Sequence, residues 1–250
     1  MGTVASLDVA EPSPSVLERV EAVFASADAR FSLYRADSEL SGINAGRTGL
    51  LDASDAVRDA YAIASDWRAR TDGAFTPTRP DGALDLNGVV KALAMRDAGR
   101  ELTALGFDDW TLVVGGDMLA SGCASDGAPW RTGIVDPADR TALLCAVDLT
   151  GSRRAIATSG SAERGDHIWL AGASTPFVQV TVVADDIVTA DVLATAIVSG
   201  GQAALQDAAE RWSIDVLTVD REGGLMATPG LRASLSPAAL TLLPDTPALG

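Results

Sequence analysis

The chain has 250 residues, 47% hydrophobic and 21% charged, which is the makeup of a folded core rather than of a disordered segment. A formal net charge of −15 excludes a general binder of nucleic acid or of an anionic membrane surface, since both need excess positive charge. His167 is the single histidine, Lys91 the single lysine, and Cys123 and Cys145 the two cysteines. Multi-histidine metal sites, CxxC motifs and disulfide frameworks are thereby excluded.

Residues 3–9 alternate as a strand. Pro14 opens a helix to about Arg30, with Ser15 and Glu18 spaced as a capping box and Val16, Val20, Val23, Phe24 and Ala27 at helical spacing. One helical turn is expected over Ser38–Ile43. A helix over Asp55–Arg70 turns Val57, Tyr61, Ala64 and Trp67 inward and stops at Thr71-Asp72-Gly73. A turn-rich loop (76–82) leads to a short strand at Leu84–Leu86 and a helix from Val89 to Leu105, ended by Gly106. Strands are predicted at 110–114, 130–135, 143–149, 153–158 and 177–184. Helices follow over Ile187–Val198, stopped by Gly200-Gly201, and over 202–211. Strands at 214–219 and 225–227 close the core. Strands that follow one another directly favour an α+β fold, a mixed and largely antiparallel sheet packed with helices, in one domain over residues 1–250 with a peripheral tail after about 235. The opening MGTVASLDVAEP lacks the regions of a signal peptide, and no apolar run approaches the ~20 residues that span a bilayer. A cytoplasmic protein without membrane insertion is expected, or an exported one if a leader has been removed.

Nucleotide-loop signatures are missing: there is no G-x-x-x-x-G-K-S/T, no G-x-G-x-x-G after a strand, and no G-x-S-x-G elbow. Four segments carry chemistry instead. Asp191 and Thr195 lie four apart on a helix, offering a carboxylate and a hydroxyl on one face, hard ligands suited to Mg²⁺ or Ca²⁺. The same spacing also fits a solvated helix face. Val114-Gly115-Gly116-Asp117 ends an apolar strand and either exposes amides to a ligand or simply turns the chain. Asp85 to Lys91 passes through Asn87-Gly88 into a helix whose first turn could take an anion, or Lys91 is a surface lysine. Thr158-Ser159-Gly160 ends a strand, followed by a loop holding His167.

In this order the segments resemble the FAD:protein FMN transferase family, the ApbE-type flavin transferases. Met1-Gly2-Thr3 is similar to the family's opening M-G-T, and Phe31 to Leu40 to its FS-x-Y-x-x-D-S-E-L, with Asn44 closing the segment. Thr71 to Phe75 resembles T-D-G-A-F, Asp85 to Lys91 D-L-G-G-I-A-K, and Gly115 to Asp117 G-G-D. Trp130, Arg131, Ile134 and Pro137 fit W-R-x-x-I-x-x-P, Thr158 to Gly160 T-S-G, and the run to Thr195 A-D-x-x-A-T. The resemblance implies transfer of the FMN half of FAD to a threonine of an acceptor protein, releasing AMP, with Mg²⁺ or another hard dication. It implies Asp191, Thr195 and the Val90 carbonyl as metal ligands and His167 as the base. It further implies that Met1, Tyr34, Ser38, Lys91, Gly116, Asp117, Thr158, Ser159 and Gly160 hold FAD, with Tyr34 stacked on the isoalloxazine. Three stretches depart from the pattern, the shortest being Val90-Lys91-Ala92 in place of A-K-G. Thr76 to Gly82 replaces D-P-T-V-G-P-L and a long insertion, and Trp169 to Gly172 replaces I-D-P-x-T-G. The alternatives that share the same site are Mg²⁺-dependent FAD hydrolysis and flavin binding without turnover.

Overall fold

Residues 4–160 and 175–234 are described by a computed structural model. The chain begins with β1 (Ala5–Val9), then α1 (Pro14–Phe31), the short α2 (Glu39–Asn44), a 3₁₀ turn at Leu50–Asp52, α3 (Asp55–Arg70) and α4 (Asn87–Ala104). Next come β2 (Trp110–Val114), β3 (Asp117–Ser121), β4 (Trp130–Val135), β5 (Leu143–Leu149), β6 (Ala155–Gly160) and β7 (Phe177–Ala184). The elements end with α5 (Ile187–Arg211), β8 (Asp215–Asp220), β9 (Leu225–Ala227) and α6 (Pro229–Ser234). Seven strands form one sheet in the order β1-β2-β3-β6-β7-β8-β9, every neighbouring pair antiparallel, and β4-β5 form a separate hairpin. The α+β architecture with an antiparallel sheet is therefore as expected.

Strand alternation sends side chains to both faces of the sheet, and both faces are buried. Leu112, Val114, Ala155, Ala157, Val180 and Val182 join α1, α4 and α5 in the larger core. Met118, Ile156, Val183 and Leu217 face the other way, where Ile134, Val147 and Leu149 of the β4-β5 hairpin and Leu231 of α6 cover them. At one end of the helical layer the Trp67 and Trp212 rings lie 5.9 Å apart, with the Arg70 guanidinium 4.2 Å from the Trp67 centroid, tying α3 to the end of α5.

Several details differ from the sequence reading. Ser13, not Ser15, precedes α1; no side chain caps that helix, and the two hydroxyls bond each other at 2.9 Å. Leu84–Leu86 is not a strand: Leu84 makes only an isolated bridge to Thr78. The strand β3 and helix α6 were not anticipated. Two expected helices, 187–198 and 202–211, run together as α5, but Gly201 at φ 65° and ψ −146° breaks the helix where the Gly-Gly pair predicted a stop. An 18-residue window of α5 reaches a mean hydropathy of 1.4, enough by length and composition for a membrane helix. Its apolar residues from Ile187 to Val198 are buried in the core instead.

Candidate active site

The site begins with a turn. Val114 pairs with Asp117 across the β2-β3 hairpin, leaving Gly115 and Gly116 as a two-residue loop with φ of 58° and 90°. Positive φ at both positions is the type I′ turn, whose twist matches paired strands and which glycine adopts without strain. The Gly-Gly pair is thus a turn, and it delivers Asp117 as the first residue of β3, facing the helices.

Asp117 does two things. Its Oδ1 accepts the Thr158 N–H at 3.0 Å, where the β3-β6 ladder, paired only through Met118 and Leu119, has no backbone partner to offer. Its Oδ2 is in ion-pair contact with Lys91 Nζ, which lies 3.5 Å from Asp191 Oδ1. Lys91 comes from α4, Asp191 from the first half of α5, and α5 packs on β6 and β7. On the same side of β6, Ser159 Oγ and Thr195 Oγ1 share a hydrogen bond at 3.1 Å. Four segments far apart in sequence therefore meet at the inner ends of β3 and β6.

The helix that carries Lys91 is set by the segments before it. Asp85 Oδ1 accepts the Asn87 N–H at 2.9 Å, closing an Asx turn into α4. A Cβ on Gly88 would lie 2.8 Å from Phe75 Cε2, so the Phe75 ring rests directly on the first turn. Phe75 is held there by Thr71, whose hydroxyl donates to the Trp67 carbonyl at 2.8 Å and accepts the Phe75 N–H at 3.1 Å. Asp72 at φ 50° and the Gly73 N–H to Arg68 carbonyl bond at 2.8 Å end α3 in a Schellman-type cap. The T-D-G-A-F segment is therefore a bracket between α3 and α4.

Electrostatically the cluster is lopsided. Asp117 and Asp191 are 0% exposed and Lys91 9%, so among the described residues one ammonium stands between two enclosed carboxyls. Burial pushes the Asp117 carboxyl up to about 6; Lys91 pulls it down and Asp191 adds to the rise. A further cation would relieve this excess of negative charge. The donors present, the Asp191 carboxylate and the Thr195 and Ser159 hydroxyls, are hard oxygens that fit Mg²⁺ or Ca²⁺ and not zinc. Among the described residues no three His, Cys, Asp or Glu side chains gather as a metal cluster, so hydroxyl or main-chain oxygens must complete such a site. Within α4 the Val90 carbonyl faces the helix direction of Ala94, with a second lone pair left to lend.

The remaining predicted residues divide. Tyr34 is 82% exposed. Ser38 is buried as the cap of α2: its hydroxyl donates to the Ser32 carbonyl at 2.6 Å and accepts the Ser41 N–H at 3.1 Å. Thr158 turns its side chain to the far face of the sheet. Gly160 packs so tightly that a Cβ would sit 3.1 Å from the Val178 carbonyl oxygen. Met1 and His167 lie outside the described residues. Thr181 was missed: fully buried on β7, its hydroxyl bonds that of Thr158 at 2.9 Å and anchors the strand that bears Ser159. The signal was present in Phe177 to Ala184, where Gln179 and Thr181 put polar atoms on one face of an otherwise apolar strand.

Comparison with known proteins points to one family. A family model described as the ApbE family matches residues 1–81 and 78–218. The FAD:protein FMN transferase of Salmonella typhimurium is 29% identical over 177 residues, covering 66% of this chain and 49% of that protein. The FAD:protein FMN transferase of Rhodobacter capsulatus is 32% identical over 184 residues, covering 66% and 35%. The chain thus spans half or less of the length of these relatives. The fold is that of the flavin transferase ApbE from Vibrio cholerae (TM-score 0.78, 22% identity, 94% of this chain and 96% of that one). It is equally that of the apbe protein from Thermotoga maritima (TM-score 0.78, 18% identity, 94% and 96%).

Proposed function

The chain belongs to the ApbE family, and from that premise we propose that it is an FAD:protein FMN transferase that moves the FMN half of FAD to a threonine of a partner protein and releases AMP. The observation that carries this reading is the enclosed Asp117–Lys91–Asp191 cluster beside the Ser159 and Thr195 hydroxyls. Such a cluster of acidic and hydroxyl oxygens suits a hard dication, and phosphoryl transfer relies on charge neutralisation and positioning more than on covalent help from the protein. Asp191, Thr195 and the Val90 carbonyl would hold Mg²⁺, which when bound supplies neutralisation of the pyrophosphate charge.

The protein's own groups have separate tasks. Tyr34 offers its exposed ring to the isoalloxazine. Asp117 keeps Lys91 extended toward Asp191, so that the ammonium can meet a phosphate oxygen. The acceptor threonine Oγ attacks the FMN phosphorus, its proton passes to His167, and the phosphorus–oxygen bond to AMP breaks with its electron pair leaving on AMP. The test incubates the full chain with FAD and Mg²⁺, with and without a threonine-bearing acceptor, and separates FMN, AMP and flavinylated protein. Flavinylated acceptor with equimolar AMP is expected. Free FMN in place of labelled acceptor would make the protein a hydrolase, and unchanged FAD would remove the catalytic reading.

A further inference from the structure

Asn44, the last residue of α2, makes two hydrogen bonds to one residue forty positions away. Its Nδ2 donates to the Leu84 carbonyl at 2.9 Å and its Oδ1 accepts the Leu84 N–H at 2.8 Å. A single side chain here satisfies both backbone groups of Leu84, as a neighbouring strand would, at a point where the chain makes only the isolated Thr78–Leu84 bridge. The side chain is exposed, so it fills no hole and contributes little to the core. What it does is join two segments.

On one side the chain runs back from Asn44 through α2, which is fastened by Ser38 and Ser41 to the Ser32 carbonyl, to the exposed Tyr34. The Arg47 guanidinium ties the same segment by donating to the Ala36 carbonyl at 2.7 Å. On the other side Leu84 precedes Asp85, whose carboxylate closes the Asx turn into α4. Leu86 behind it is fully buried, and the first turn of α4 then leads to Lys91. We infer that Asn44 is a positioning residue: its two bonds to Leu84 fix the spacing between the segment bearing Tyr34 and the helix bearing Lys91, and so the spacing between the flavin end and the phosphate end of the ligand. The ligand's identity rests on the flavin reading above; the mechanical coupling does not.

The experiment compares wild type, Asn44→Ala and Asn44→Asp in the full chain, by equilibrium titration with FAD, thermal melting, and amide hydrogen exchange. Loss of both bonds in Asn44→Ala should weaken FAD binding by about tenfold, the scale of one or two hydrogen bonds, with the melting temperature nearly unmoved. Exchange should quicken at Leu84 and also through Asn87 to Val90. Asn44→Asp keeps the acceptor and loses the donor, and should fall between. An FAD affinity within about twofold of wild type, or faster exchange confined to Leu84, would overturn the assignment. If wild type itself does not bind FAD, the flavin reading fails, and the spread of exchange into α4 alone decides whether Asn44 positions that helix.

Discussion

The strand β6 has a one-cation, two-carboxylate group at each end, and the two groups are built differently. Near its start, Arg153 Nε reaches Asp215 at 2.8 Å and Nη1 reaches Asp185 at 2.8 Å and the Ser213 carbonyl at 2.8 Å, while Ser152 also bonds Asp185 at 2.9 Å. Side-chain exposure there is 21% for Arg153, 14% for Asp215 and 55% for Asp185. At the other end Lys91 stands between Asp117 and Asp191, both 0% exposed. The guanidinium is a planar fork whose Nε and Nη1 donors find fixed acceptors, and water screens the charge. The ammonium is a point charge in an enclosed place, shared between two buried carboxyls. The same formal charges yield a staple at one end of β6 and, at the other, the cluster proposed above to take a further cation.

The contrast breaks most sharply at Asp191. Asp191→Asn keeps size and packing but removes one negative charge, and should lower Mg²⁺-dependent transfer by about a hundredfold or more, as loss of a metal worth several kcal/mol implies. Activity against Mg²⁺ concentration, with circular dichroism to show that the fold is kept, is the measurement; an unchanged Mg²⁺ curve would dismiss the metal assignment. Asp117 sharpens the comparison through pH. Its folded-state value near 6 lies above the ordinary carboxyl value of 3.8, so its contribution to metal-free stability is full below pH 4 and is lost as pH rises through about 6. The loss is ~3 kcal/mol at most for a shift of this size. Asp117→Asn cannot ionise, and its melting temperature relative to wild type should climb over that window; parallel curves would show that the group is not perturbed.

Arg153→Ala should cost about 1–2 kcal/mol in denaturant unfolding through the charged hydrogen bonds it removes, and leave the affinity for FAD as it was. A large loss of FAD binding would mean that the two ends of β6 are coupled. Asp185→Asn, at a half-exposed position, should cost no more than about 0.5–1 kcal/mol. A cost equal to that of Arg153→Ala would show the staple to depend on Asp185 rather than on Asp215.

How far the sequence could be read follows from range. The helix α3 and the strands β7 and β9 have the limits that local signals predicted, because apolar periodicity and the Thr-Asp-Gly stop lie within the segments themselves. The strand β3 escaped notice because Asp-Met-Leu-Ala-Ser is short and follows a Gly-Gly pair that reads as an ending. Leu84–Leu86 pairs only at the isolated Thr78–Leu84 bridge before the chain turns into α4, so no ladder extends it. In the site, motif order singled out Lys91, Asp117, Asp191 and Thr195, which lie close together in the fold. It could not show that Lys91 bridges the two acids, since that depends on how α4 crosses α5. Ser38 shows the opposite limit: a hydroxyl in a recognised motif is occupied as a helix cap.

The strand order also governs how the molecule can be made. The edge strand β1 pairs with β2, Ala5 against Val114, so this strand has no partner until four helices have followed it. Lys91 then waits for Asp117, Asp117 for the Thr158 amide, and Ser159 for Thr195. The cluster lacks Asp191 and Thr195 in any chain that stops short of α5. Pairings so distant in sequence form late and slowly, and a prematurely terminated chain would expose unpaired strands without acquiring any partial chemistry.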